Sequence, residues 1–228
     1  MIITETTTGV VRYHPNFIVV GSYRSACVGT GGKVEQNDLL SGVKLSELIA
    51  CNFEGAETSI SESVNILSEG FMRGGKIITC GNGGSMAQAM HLAGELAGRF
   101  RADRRPIPAV CISDPVYLTC VANDYGYENV FARWIEGFAT PDDTVMLFTT
   151  SGLSPNIVQA AKAAKASMSK LIVFTGNNGS AFEHDADVIF KLNKKTTPDT
   201  TQHYHQMLLH TLTGQLEQRL KLDSGITH

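Results

Sequence analysis

The chain has 228 residues, 43% of them apolar and 18% charged, which is enough to bury one sizeable α/β core and is unlike a disordered protein. Its formal net charge of −3 provides no basic field for nucleic acid or an anionic membrane, so any phosphate must be held by local backbone and hydroxyl donors. No apolar run approaches the roughly 18 residues of a membrane span, the first residues lack the basic segment of a secretory leader, and a cytoplasmic protein is expected.

Residues 1–42 stand apart from the rest. The segments 10–13, 17–20 and 25–28 are short β-like pieces broken by Pro15, Gly21 and the run Gly29-Thr30-Gly31-Gly32. A hairpin appendage, a flexible tail and an upstream start codon all fit this pattern. Residues 43–228 form the second unit, and there the pattern becomes regular. Leu45, Leu48, Ile49 and Phe53 recur at helical spacing, as do Ile60, Val64, Leu67 and Phe71 before Gly74-Gly75 ends the run. Strands and helices then alternate: strand 76–80, helix 85–99, strand 109–112, a helix containing 130–138, strand 144–149, helix 157–166, strands 171–174 and 188–192, and a closing helix over 201–222. The strand runs are short, apolar and rich in Val and Ile, so both sheet faces should be covered. Alternation of this kind predicts an α/β three-layer sandwich with a central parallel sheet, flavodoxin- or Rossmann-like, preceded by N-terminal helices. Cys27, Cys51, Cys80, Cys111 and Cys120 form no CxxC pair and read as reduced thiols, several of them in apolar runs.

Two strands end in small, hydroxyl-rich turns that open helices, Cys80-Gly81-Asn82-Gly83-Gly84-Ser85 and Thr149-Thr150-Ser151-Gly152-Leu153-Ser154. Glycines let the backbone approach a ligand, exposed amides at a helix start favour an anion, and ligands of open α/β sheets sit at the strands' carboxyl ends. Ser85 and Ser154 could instead simply cap their helices. Neither loop is GxGxxG, and no lysine follows the glycines, which speaks against a nucleoside triphosphate.

Downstream of the first loop, His91 and Glu95 lie one turn apart on one helix face. That pair could serve as base and ligand or form a surface ion pair. The closing helix carries Gln202, His203, His205, Gln206 and His210. On geometry alone Gln206 and His210 share a face best, while Gln202, two turns from His210, can face the same groove.

The words CGNGGSMAQAMHLAGELAGRF, ISD, TSGxS, ANDYGY and QHYHQMLLH closely resemble the phosphoheptose isomerases of the SIS (sugar isomerase) domain family, over residues 44–222. The resemblance implies a cytoplasmic aldose–ketose isomerase that converts sedoheptulose 7-phosphate to D-glycero-D-manno-heptose 7-phosphate through an enediol(ate), for nucleotide-activated heptose and lipopolysaccharide biosynthesis. It implies Glu95 as catalytic base and His210 as proton shuttle, and a zinc site formed by His91, Glu95, Gln202 and His210, one ion per active site. Gln is an uncommon zinc ligand, so Gln206 is the reserve. Zinc would act as a Lewis acid on the sugar carbonyl.

Substrate contacts are implied at Asn82, Gly83, Gly84, Ser85, Glu95, Asn123, Asp124, Thr149, Thr150, Ser151, Ser154 and Gln202. The hydroxyl residues would hold the phosphate, with Asn82 and Asp124 toward the sugar hydroxyls. Arg99 matches a family arginine and also suits a helix C-terminus. The family assembles as a homotetramer, and the apolar residues around the closing helix, Met207, Leu208, Leu209, Leu212 and Leu216, agree with burial on more than one side. Partners are thus the sugar-phosphate substrate and further copies of the chain, with no nucleic acid and no membrane. Several positions depart from the family: Thr149 replaces Ser, Leu153 replaces Asn, Met86, Gln88 and His203 are unusual, and the sugar itself stays open. An isomerase of another sugar phosphate and a non-catalytic SIS scaffold that binds a replication initiator are the alternatives; the family's scaffold lacks the counterparts of Glu95 and His210.

Overall fold

A computed structural model of the chain describes residues 52–220 apart from 54 and 102. The extension 1–42 and nearly all of the expected helix over 45–53 lie outside the described residues. Among the described residues the elements run α1 (Ala56–Met72), β1 (Ile77–Gly81), α2 (Gly84–Ala97), β2 (Ala109–Cys111), α3 (Pro115–Tyr125), α4 (Ala132–Phe138), β3 (Thr144–Phe148), α5 (Pro155–Ala166), β4 (Lys170–Thr175), β5 (Val188–Lys191) and α6 (Pro198–Leu220). The expected strands and helices are found within a few residues of their predicted ends. The exception is α3, whose residues carry only a short apolar stripe and were not read as an element.

The five strands lie in the order β2-β1-β3-β4-β5, and every pairing is parallel. Successive side chains of a strand point to opposite faces, and the burial divides accordingly. Ile77, Met146, Phe148, Ile172, Phe174 and Phe190 pack under α1, α2 and α6. Ile78, Cys80, Val145, Leu147, Leu171 and Val173 pack under α3, α4 and α5. This is the three-layer arrangement that two-sided apolar strands require, and each buried Leu, Ile or Phe contributes about 1.5–3 kcal/mol of transfer free energy. At the carboxyl edge Phe148, Phe174 and Phe190 are paired in register and stack ring on ring at 4.5 and 4.7 Å. They form a floor for α6, where the fully buried His205 ring meets the edges of Phe148 and Phe174.

Within this layer the apolar stripe of α1 (Ile60, Val64, Leu67) and that of α6 (Leu208, Leu209, Leu212, Leu216) are buried against each other, α2 and the sheet. The leucines that the sequence suggested for an intersubunit face are thus covered within the single chain. Only Met207 of that set is partly exposed.

Candidate active site

The winding of the sheet reverses between β1 and β3, since β2 lies on one side of β1 and β4 and β5 lie beyond β3. Such a reversal leaves a crevice outside the carboxyl ends of the two strands. The two glycine- and hydroxyl-rich loops are the ones that leave β1 and β3, so both open on it.

In the first loop Gly83 has φ of +53°, and α2 begins after it with no side-chain cap. Ser85 is buried inside the first turn, not at the cap position. A Cβ on Gly84 would meet the carboxamide of Gln202 at 2.5 Å, so only glycine permits α6 to lie this close to the loop. In the second loop the buried Thr149 accepts from the Gly152 amide at 3.2 Å, and Ser151 Oγ accepts from Leu153 N at 3.2 Å. Gly152, with φ of +68°, passes so near the Asn178 carbonyl that a Cβ would overlap it. Ser154 holds the N-cap position of α5, yet its hydroxyl makes no capping bond. The hydroxyls of Ser85 and Ser154 are therefore not used as helix caps. Two helix starts without side-chain caps, flanked by hydroxyls, form an anion-binding arrangement.

Asn82 is tied across the crevice. Its amide donates to Asn156 Oδ1 at 2.9 Å, Asn156 donates back at 2.8 Å, and Tyr127 Oη donates to Asn82 Oδ1 at 3.0 Å. These bonds link the two loops through the residue expected to face sugar hydroxyls. Asn156 was missed because an Asn in the first turn of a helix carries no signal of its own, whereas Tyr127 lay inside the quoted word ANDYGY. Asn123 and Asp124 sit on the exposed end of α3, where Asn123 donates to Asp124 at 2.7 Å. The same segment then turns at Gly126 into the short helix that carries Tyr127.

The helices α2 and α6 lie side by side and run in the same direction. Gly84 abuts Gln202, Gln88 Nε2 donates to the Gln202 carbonyl, and further along His91 meets His210. His91 Nε2 is 3.1 Å from Glu95 Oε1 and 3.1 Å from His210 Nε2, and the amide of Gln206 is 3.0 Å from the same His210 nitrogen. Phe100 stacks on the His210 ring at 5.6 Å. Burial lowers the His210 pKa below its ordinary value, as do His91 and Arg101, against an opposing pull from Glu95, which favours the uncharged imidazole.

His91, Glu95 and His210 offer donor atoms all within 4.8 Å of one another. Two imidazole nitrogens and a carboxylate are a familiar catalytic zinc set. Donors about 2.0–2.1 Å from a tetrahedral ion stand roughly 3.3 Å apart, close to the spacings found here. The residues present therefore fit a metal ion. Gln206 is the glutamine that touches this cluster, whereas the Gln202 carboxamide lies over Gly84. Arg99, beyond the end of α2, is exposed.

Family models described as the SIS domain match residues 44–176 and 137–217. The chain is similar to a phosphoheptose isomerase of Cytophaga hutchinsonii, 38% identical over 188 residues that cover 81% of this chain and 98% of the relative. It is also similar to one of Glaesserella parasuis, 41% identical over 69% of this chain and 82% of the relative. Among solved structures, a phosphoheptose isomerase from Francisella tularensis superposes with a TM-score of 0.70 at 27% identity, over 80% of this chain and 95% of that one. The corresponding structure from Neisseria gonorrhoeae gives 0.65 at 29% identity, over 72% and 89%.

Proposed function

The chain belongs to the phosphoheptose isomerases of the SIS-domain family, and from that premise we propose that it converts sedoheptulose 7-phosphate to D-glycero-D-manno-heptose 7-phosphate. The observation that carries this reading is the convergence of Glu95, His91 and His210, from two neighbouring helices, on one point.

The reaction moves two protons. One leaves C1 of the ketose and returns at C2; the other leaves the C1 hydroxyl and arrives on the C2 oxygen, with an enediol(ate) between. Glu95 is the group that carries the carbon-bound proton, because a carboxylate can act on either face-sharing carbon without moving its backbone. His210, whose uncharged form is favoured by burial, is suited to accept from one oxygen and donate to the other. Ser85, Thr149, Thr150, Ser151 and Ser154 hold the phosphate with the backbone amides of Gly83, Gly84 and the α5 start. Asn82, Asn123, Asp124 and Gln202 line the sugar chain. A zinc ion bound by His91, Glu95 and His210, with Gln206 or Gln202 as fourth ligand, would supply Lewis-acid polarisation of the carbonyl.

Two further parts of the reading concern the setting. The protein acts as a homotetramer in the cytoplasm. Support for assembly comes from the openness of the cluster: the His91 side chain is 42% exposed, and the neighbouring Met90 is also exposed. Chemistry through an enediolate calls for a site closed to water, and a neighbouring chain would provide that closure. No helix among the described residues is long and apolar enough to cross a membrane. Residues 43–228 act as one SIS domain with leading and closing helices, and residues 1–42 as an extension. The test of the activity is direct: incubate purified protein with the ketose 7-phosphate and follow the aldose phosphate by NMR. Absence of conversion at enzyme-like concentrations, with the fold intact, would end this reading.

A further inference from the structure

The C-terminal end of α2, one turn beyond the reacting groups, is held by a single buried cation. Arg104 is 5% exposed. Its Nη2 donates to the backbone carbonyl of Glu95, its Nη1 to that of Leu96 at 2.8 Å, and its Nε to Glu217 Oε1 of α6 at 2.6 Å. Carbonyls in the last turn of a helix have no partner inside it, and here the guanidinium supplies one, including to the residue whose side chain faces His210. Glu217 lies two turns after His210 on the same face of α6. Between them Gly214 packs against the Phe100 ring, the ring that stacks on His210. Only a planar fork with donors on three nitrogens spans two carbonyls and a carboxylate at once.

Resting on the roles given above to Glu95 and His210, we propose that Arg104 is a positioning residue: with Glu217 it clamps α2 against α6 and so fixes the separation between the base and the proton shuttle. A well-packed apolar pair of similar volume often replaces a buried ion pair without loss of its electrostatic contribution, but it cannot hold the Glu95 carbonyl. A misplacement of about 1 Å costs up to roughly a hundredfold in rate, so the clamp has kinetic consequences out of proportion to its distance from the substrate.

The experiment compares wild type with Arg104→Lys, Glu217→Gln and the double variant Arg104→Met/Glu217→Leu. The readouts are melting temperature, kcat and KM, and titration of the metal-free proteins with Co²⁺, read by its visible absorption. In the double variant, which leaves no charge buried and unpaired, stability recovers above that of Glu217→Gln, yet kcat stays down by roughly tenfold or more at little-changed KM. Co²⁺ affinity falls by roughly 10- to 100-fold, the usual effect of removing a group that orients ligands. Arg104→Lys keeps the charge but loses the fork, and shows the same kinetic loss. Recovery of kcat and Co²⁺ affinity together with stability in the double variant, or wild-type values in Arg104→Lys, would overturn the proposal. If the double variant does not fold, Glu217→Gln, which keeps an acceptor in place, is judged by the same two readouts. A wild type inert toward the sugar phosphate would undo the functional reading alone, since the Co²⁺ arm still decides the clamp.

Discussion

The two ends of the sheet treat polar groups in opposite ways. At the amino end Asp143 accepts from Lys76 N and Nζ at 2.8 and 2.6 Å and from Thr140 N and Oγ1 at 2.7 and 3.0 Å, joining the starts of β1 and β3. Asp187 does the same for β4, accepting from Lys170 Nζ and Leu171 N. Although burial opposes it, these bonds leave the Asp143 carboxyl below its ordinary pKa. At the carboxyl end α2 and α5 begin without side-chain caps, and Gln88 Oε1 and His205 Nδ1 are buried without a protein partner. Two to three turns along α2 from that end, three titratable side chains crowd into one small cluster. The carboxylates at the amino end are fully paired, whereas at the carboxyl end, where substrate binding is proposed, buried polar atoms stay without a protein partner.

That contrast can be broken first at the saturated end. Asp143→Ala leaves four donors without their acceptor and should cost about 3–5 kcal/mol, as loss of one partner of a buried pair does. Melting should fall by at least about 6 °C in a domain of this size, while kcat of the protein still folded at 25 °C stays at the wild-type level. A large fall in kcat with melting unchanged would mean that the two ends are not separable.

His205 tests the boundary between the regions. Burial, only partly offset by its bond to the Thr175 carbonyl, lowers its pKa from 6.5 to about 4. Between those values the unfolded chain binds a proton that the folded chain refuses, so stability rises with pH through that window. The contribution is fully present above about pH 6.5 and is lost as pH falls toward 4, on the order of 3 kcal/mol over the whole span. Urea unfolding at several pH values should show this slope in wild type and not in His205→Gln. Equal slopes in both proteins would contradict the assignment.

The smallest stability effect is expected at the open end. Ser154 occupies an N-cap position without making the capping bond, so Ser154→Ala should change stability by less than about 0.5 kcal/mol, where loss of a working cap costs about 1. The change should appear instead in KM for the sugar phosphate, by roughly tenfold, the scale of a hydrogen bond to a charged group. Lost stability with KM unchanged would make Ser154 an ordinary cap.

Which parts were legible follows from where each signal resides. The strands are short Val- and Ile-rich runs between turn residues, and such runs reveal themselves locally. The helix α3 did not, because its core-facing stripe is short (Tyr117, Leu118, Val121 and Ala122) and only Val121 in it is fully buried. His91 and Glu95 were visible as a pair one turn apart. Gln202, Gln206 and His210 all fall on one stripe of α6, so periodicity could not choose between the glutamines; the packing of α6 on Gly84 separates them by sending Gln202 to the loop and Gln206 to His210. Asn156 and Arg104 were illegible, for their partners Asn82 and Glu217 lie 74 and 113 residues away in the chain.

The central claim is that Glu95 moves a proton between two carbons of a sugar phosphate. Running the reaction on sedoheptulose 7-phosphate in D₂O, with wild type and Glu95→Gln side by side, tests it most directly. Wild type should yield aldose 7-phosphate, with deuterium at C2 in the fraction of turnovers in which Glu95 exchanges its proton with solvent, and Glu95→Gln, equally folded, should be slower by at least about a hundredfold. Near-normal turnover by Glu95→Gln, equally folded, would contradict the account.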